Sequence, residues 1–314
     1  MLRLAELADE GPFDAVWVND SLVDTPGFDP LVSLGAVAAR TGRVRLGTGI
    51  LQPHFRNPFL LGLAWASLDQ AAQGRTILGL AIGGGSPDNI AKECALVGIT
   101  SRERGQILEA TVATVRALWR DEHPEMSLPV RPVQAHVPIW IAAGIYVPQN
   151  HGAGAQGLVE SAHRGRYLSG RLERVARLAD GWFTLMATPT EVRESLVILH
   201  EEAARHGRRP DQIVPCLELW INVGPDRKAS YRELRRTVHR YFEGAEIPDE
   251  TIERWAIWGP ADACLERLAE FETAGIRHVK LVIGSSDPFE QLERISTEIT
   301  ARPPLTGSSG APRG

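Results

Sequence analysis

The sequence predicts an α/β fold in which a parallel sheet, buried on both faces, curls into an eight-stranded (β/α)8 barrel. Three observations carry this. Apolar strand-like runs alternate with helix-like runs along the chain, the pattern of βαβ crossovers rather than of hairpins. The strands are apolar throughout instead of alternating, as strands covered on both faces are. The stretch Val44 to Ser86 shows the repeating unit whole: strand Val44–Leu51, an apolar helix from about Phe59 to Ala72, strand Thr76–Ile82, then Gly83-Gly84-Gly85-Ser86-Pro87. Such units are right-handed, and ligands collect at the carboxyl ends of their strands, where both glycine loops fall.

The elements follow in order. Leu2, Leu4, Ala5, Leu7 and Ala8 keep helical spacing, and Gly11-Pro12 stops that helix. Phe13–Asp20 is a strand with a polar exit, and helix Leu31–Arg40 leads to the strand at Val44. Arg102–Arg120 is a long amphipathic helix, with Ser101 placed to cap it. A proline-rich link, Pro124–Pro138, ends at strand Ile139–Gly144, and an irregular segment, Ile145–Tyr167, precedes helix Arg171–Leu178. Then come strand Asp180–Leu185, helix Thr190–His206, strand Val214–Val223, helix Arg227–Phe242, helix Ala261–Ala274 and strand His278–Ile283.

That count gives seven strands, so the barrel lacks its first strand, which would precede the helix at Leu2. Without it, the strands at Val16 and Val279 keep unpaired edges. The numbered start is therefore expected to lie inside the natural protein, with a further apolar strand encoded upstream of Met1. The expected organisation is one barrel domain over 1–302, an insertion at about 145–168, and a disordered Pro/Gly/Ser tail over 303–314.

The totals are those of an ordinary soluble protein: 43% hydrophobic, 23% charged, net charge -5. The mild net charge gives no sign of nucleic acid or an anionic membrane as the partner. Neither a membrane-length apolar run nor a signal segment is present in this sequence. Cys94, Cys216 and Cys264 lack metal-ligand spacing, and read as buried thiols in a reducing cytoplasm. Neither a Walker loop nor a dinucleotide fingerprint is present.

An ordered string of short motifs adds a resemblance. It comprises Phe13-Asp14-Ala15-Val16-Trp17-Val18-Asn19-Asp20, Arg43-Val44-Arg45-Leu46-Gly47-Thr48-Gly49, Arg56-Asn57-Pro58, Ser67-Leu68-Asp69, Gly74-Arg75-Thr76-Ile77-Leu78-Gly79-Leu80, Arg102-Glu103-Arg104, Ala179-Asp180-Gly181-Trp182 and Gly259-Pro260-Ala261-Asp262. Together they resemble the bacterial luciferase-like superfamily of flavin- and deazaflavin-dependent oxidoreductases, from about Leu2 to Ile283. The nearest look is that of the methylenetetrahydromethanopterin reductase-like, deazaflavin-using group. The resemblance implies a TIM barrel of the luciferase-like type and hydride transfer between the deazaflavin coenzyme F-420 and a small organic substrate. The alternatives are an FMN-dependent monooxygenase acting with oxygen, and a non-catalytic family member. It also implies a homodimer through barrel helices.

Residue by residue, Gly47, Thr48 and Gly49 are expected to back the cofactor ring. Gly83, Gly84, Gly85 and Ser86 would approach a ribityl chain or phosphate through their amides; a plain turn is the alternative. Gly144, with Ser169, Gly170 and Arg171 opening a helix, would receive the phosphate at a helix N-terminus; the alternative is that the segment Ile145–Tyr167 alters the phosphate pocket. Asp20 is expected as the proton-passing carboxyl, or else as a helix cap or loop hydrogen-bond acceptor, with Asn19 as its substitute. His54 would donate to substrate or cofactor, or be an ordinary surface histidine. Trp17, Trp140, Trp182 and Trp220 are expected to be mostly packing residues, Trp182 being the alternative candidate to stand near the ring. His151, His163, Arg164 and Arg166 would shape substrate entry, or lie on a solvated loop. Ser101, Arg102, Glu103 and Arg104 are given no catalytic role.

Overall fold

Five helices open on the same local device, a capping side chain followed by proline. Asp29-Pro30, Asn57-Pro58, Ser86-Pro87, Thr188-Pro189 and Asp287-Pro288 each place an oxygen on free amides of the first turn. Proline then occupies a position whose amide would go unpaired anyway. At Thr188 the side chain of Glu191 returns the bond, completing a capping box. These devices time the alternation of helix and strand.

The computed structural model describes residues 1–23, 27–144, 161–242 and 247–300, apart from the side chains of 161–167. The strands are β1 (Ala15–Val18), β2 (Arg45–Thr48), β3 (Thr76–Leu80), β4 (Ile139–Ala142), β5 (Gly181–Leu185), β6 (Val214–Val223), β7 (Ala256–Gly259) and β8 (His278–Ile283). The helices are α1 (Leu2–Glu10), α2 (Pro30–Ala38), α3 (Pro58–Ala71), α4 (Pro87–Leu96), α5 (Arg104–Arg120), α6 (Ser161–Leu178), α7 (Pro189–Arg205), α8 (Arg227–Tyr241), α9 (Asp249–Trp255), α10 (Ala261–Thr273) and α11 (Pro288–Arg294).

All pairings between these strands are parallel, in the order β1-β2-β3-β4-β5-β6-β7, with β8 also on β6. Strand β6 is long enough to serve three partners. Its first half pairs β5, Cys216–Ile221 pair β8, and Trp220–Val223 pair β7. Because Trp220 pairs with both Ala256 and Val282, β7 and β8 lie on opposite edges, and β7 extends the edge that β5 begins. The seven strands read from sequence are all present. The eighth, β7, is four residues at the Trp258-Gly259 segment and was not expected, nor were α4, α9 and α11.

The sheet is curled nearly closed, with the helices around it, as the expected barrel requires. Trp17 from β1 meets His278 from β8 at 5.7 Å between ring centroids, although these strands end opposite sides of the sheet. Trp17 also packs on Trp140 at 5.2 Å and on Phe183 at 5.3 Å. With Ile77 and Cys216 these rings fill the barrel interior. The glycines facing them follow from that filling. A Cβ on Gly47 would lie 2.2 Å from the Trp17 ring, and one on Gly181 2.5 Å from Trp140. The other strand face, with Leu46, Leu78, Ile139, Ile141, Trp182 and Leu217, forms the main core beneath the helices.

Between β1 and β8 the wall is open. A cleft of about 850 Å³ lies there, lined by Val16, Val18, Val279 and Leu281 from the strands and by Leu4, Ala8 and Leu292 from α1 and α11. The expected insertion falls mostly on 145–160, outside the described residues, as do His151 and the expected tail. The side chains of His163, Arg164 and Arg166 are also outside them. No described helix is long and apolar enough to cross a membrane.

Candidate active site

The carboxyl ends of the strands carry a polar assembly on top of the aromatic filling. At the β1 exit, the Asp20 carboxylate is buried and held from three sides. Arg56 donates through two nitrogens, at 2.5 and 3.2 Å, and the Gln52 backbone amide donates at 2.9 Å. Gln52 Nε2 donates to the Asp20 carbonyl, and the Asp20 amide donates to the Ile50 carbonyl. Arg56 reaches on to Asp29, which caps α2. A carboxylate so held ties the β1 and β2 exits together.

Gly49, expected to back the ring, precedes a cis peptide bond to Ile50. Its carbonyl accepts from Lys280 Nζ at 2.5 Å. Gly47 sits lower, against Trp17, and the absence of a side chain there accommodates that ring. The Thr48 hydroxyl is fully buried and consumed by the sheet: it donates to the Gly79 carbonyl at 2.8 Å and accepts from the Gly79 amide at 3.0 Å.

His54 lies in a short 3-10 turn, Pro53–Phe55, buried, with neither ring nitrogen hydrogen bonded. Burial, reinforced by the positive charges of Arg104 and Arg56, pushes its pKa down to about 4, so the ring is neutral near pH 7. Gln52 Oε1, another buried atom, also has no partner. Buried polar atoms left open at the end of a barrel strand are what a bound ligand satisfies.

The glycine loop after β3 is pinned from behind. Arg104, buried at the start of α5, donates to the carbonyls of Ile82 at 2.6 Å and Gly83 at 3.4 Å. Gly83 and Gly85 adopt positive φ, and a Cβ on Gly83 would collide with Gln52. At Gly84 and Gly144 no described residue lies within 4 Å of an added Cβ. Ser86 is spent as the cap of α4. Arg104 was left without a role by sequence reading, yet it holds the carbonyl ends of this loop.

The expected helix opening at Ser169-Gly170-Arg171 needs correction. α6 begins at Ser161, so these residues lie in its third turn, and their amides are not the free donors of a helix start. The Ser169 hydroxyl donates to Glu202 on α7, and Gly170 is exposed. Arg171 alone of the three turns toward the strand ends, its Nη1 3.5 Å from the Gly144 carbonyl. Trp182 takes the packing role and not the ring-side alternative: it lies under the helices and donates to the Ala143 carbonyl, away from the barrel interior. The cap expected at Ser101 is not made; α5 has Glu103 at its cap position, and Glu103 instead accepts from Thr100. Neither the β1–β8 cleft nor a groove beside α8 is lined by Gly49, Gly84 or Gly170.

An ion pair inside the barrel completes the assembly. Lys280 on β8 donates to Glu218 on β6 at 2.6 Å, with the two side chains 6% and 14% exposed. A charged residue at an inward position of two otherwise apolar strands was the sequence signal for it. A lone buried charge is costly, so opposite charges on two such strands imply a pair.

Comparison with known proteins accords with this geometry. The pattern described as luciferase-like monooxygenase matches residues 1–151 and 169–278, and the residues it skips fall within the segment read as an insertion. The F-420-dependent glucose-6-phosphate dehydrogenase of Kineococcus radiotolerans is 26% identical, over 93% of this chain and 89% of that protein. Among solved structures, an F-420-dependent secondary alcohol dehydrogenase in complex with an F-420–acetone adduct superposes with a TM-score of 0.75 at 19% identity, covering 96% of this chain and 94% of that one. The monooxygenase RslO1 from Streptomyces bottropensis gives 0.73 at 24% identity, covering 96% and 90%. The chain belongs to the luciferase-like monooxygenase family, and is a flavin- or deazaflavin-dependent oxidoreductase.

Proposed function

We propose that this enzyme uses the deazaflavin coenzyme F-420 to exchange hydride with a small organic substrate. The observation that carries the reading is the set of open, buried polar atoms, His54 Nδ1 and Nε2 and Gln52 Oε1, at the mouth of a barrel already packed with aromatic rings below. The relatives named for F-420-dependent dehydrogenation support the choice of coenzyme. When bound, the coenzyme supplies the hydride chemistry, and the protein supplies position and polarity. Gly49 and Ile50 back the ring. The amides of Gly83–Ser86, the open backbone at Gly144 and the Arg171 guanidinium hold its phosphate-bearing tail. Neutral His54 offers a donor or an acceptor to the substrate. Arg56 keeps Asp20 in place as the brace between the β1 and β2 exits. The three cysteines are free, buried thiols, which supports a reducing cytoplasm as the setting.

A second reading, an FMN-dependent monooxygenase acting with oxygen, is favoured by the family's own description and by the likeness to RslO1. Thermal unfolding with each coenzyme separates the two, since a ligand that binds only the folded state raises the melting temperature. Stabilisation by F-420 supports the first reading. Stabilisation by FMN alone, with oxygen uptake on reduction, supports the second, and none by either points to a non-catalytic member. Gly84→Asp, in open space, is expected to leave stability unchanged and to weaken coenzyme binding about ten-fold by repelling phosphate; unchanged affinity removes that loop from the site. Asp20→Asn leaves Arg56 without its buried counter-charge and is expected to cost about 3 kcal/mol in a denaturant titration. If stability holds and only turnover collapses, Asp20 is a proton carrier and not a brace.

A further inference from the structure

Lys280 makes contacts that ordinary packing does not require. It is the one buried residue of β8, and its three ammonium protons are all committed. Glu218 takes one at 2.6 Å, the Gly49 carbonyl one at 2.5 Å and the Asn19 side-chain carbonyl one at 2.8 Å. Asn19 in turn donates to the Tyr241 hydroxyl at 3.0 Å. The three acceptors belong to β6, to the β2 exit and to the β1 exit, so one ammonium spans both ends of the open sheet. Its stem leaves no spare room: a Cβ on Gly49 would lie 3.1 to 3.4 Å from Lys280 Nζ, Cε and Cδ.

We propose that Lys280 is a positioning residue for the coenzyme. Neutralised by Glu218, it locks the Gly49 carbonyl and the Asn19 amide into one surface, on which the ring rests. The inference builds on the function proposed above, because that reading puts the ring against Gly49. Ammonium geometry suits the task. Three rotatable donors on a flexible stem can meet acceptors supplied by three different segments, here β6 and the β1 and β2 exits. The pair adds no net charge to the site, so its effect is on placement and not on the ring's charge.

The test uses the full-length protein with oxidised coenzyme F-420 and FMN as probes. The double variant Lys280→Met/Glu218→Gln removes both charges and keeps similar volumes, a replacement that buried pairs tolerate. Asn19→Ala, at an exposed residue, cuts one link and leaves the ion pair intact. Three quantities are measured: the melting temperature without coenzyme, the dissociation constant, and the visible absorption band of the bound ring. The double variant is expected to fold, to bind the preferred coenzyme about ten-fold more weakly, and to shift the bound band toward that of free coenzyme. Asn19→Ala shifts both in the same direction by less, with its melting temperature unchanged. A lower melting temperature with affinity and band as in the wild type makes Lys280 a mere clasp and overturns the inference. Should the double variant not fold, Asn19→Ala decides alone, and a wild-type band and affinity there overturn it. Failure of the wild type to bind either coenzyme is a different result, which removes the proposed function and this inference together.

Discussion

Strands β3 and β8 are both mainly apolar, although β8 carries His278 and Lys280, and they differ in how they are housed. Every residue of β3 is buried, whereas in β8 only Lys280 is, and all four residues of β1 are half-buried. β3 sits between β2 and β4, while β1 and β8 each have a single strand neighbour among the described residues. At β1 and β8 half-burial thus goes with the missing strand neighbour, whereas β7, which also pairs only β6, is mostly buried because α8 and α10 pack on it. Where the wall is complete, the interior fits so closely that glycines are obligatory opposite tryptophan. Where it is open, a polar clasp from Lys280 spans the ends.

The sharpest way to break this contrast is to add volume in both regions. A Cβ on Gly79 would lie 2.0 Å from the Thr48 carbonyl oxygen, a backbone atom with no freedom to retreat. Gly79→Val is expected to cost about 3 kcal/mol or more in a denaturant titration. Ala15→Val, on β1 beside the open cleft, should stay within about 0.5 kcal/mol. Equal costs would mean that the open wall is packed as tightly as the closed one.

Removing volume sharpens the same point with a smaller effect. Leu78 is fully buried on β3 and packs in the main core. Leu78→Ala is expected to destabilise by about 3 kcal/mol, since the cavity cannot collapse between two flanking strands. Leu281→Ala, half-buried on β8 and lining the cleft, should cost about 1 kcal/mol, the loss of a partial transfer term. If the two values coincide, the cleft is filled in solution.

This contrast also marks what the sequence could and could not tell. The closed wall was legible because its strands are continuous apolar runs punctuated by glycine and capped prolines. Many of the motifs behind the family resemblance turn out to be structural. Asp69 is fully buried and accepts from Thr76 and Gln134, and Asp180 accepts from the Ile139 amide and pairs with Arg116. Both secure the sheet away from the strand exits that form the site. The roles of Gly47 and Gly181 were not legible, since each depends on a tryptophan supplied by another strand. Short helices such as α9, seven residues long, give too few turns for periodicity to register. At the site, local reading chose Asp20 and His54 but not Arg56, Arg104 or Lys280 as working residues. Apart from the Ser101 carbonyl beside Arg104, their partners lie 21 to 261 positions away, a pairing that only the curled sheet creates.

The mildest test uses protons, because each region holds a histidine, His54 buried and His278 half-buried. For His54, at the β2 exit, burial and the charges of Arg104 and Arg56 lower the pKa from 6.5 to about 4. For His278, at the open edge, burial also lowers it, while the Asp14 carboxylate pulls the other way. Above pH 6.5 both rings are neutral in the folded and unfolded chains, so neither adds slope. As pH falls below 6.5 the unfolded chain takes up a proton that the folded ring refuses, so stability drops with acidity. For His54 this loss continues to about pH 4, where the folded ring also protonates. His54→Gln should therefore flatten the fall in stability between pH 6.5 and 4 relative to the wild type. His278→Gln should flatten it less, since Asp14 offsets part of the burial effect. The reverse ranking in paired denaturant titrations would show that the open edge shields its histidine better than the closed wall does.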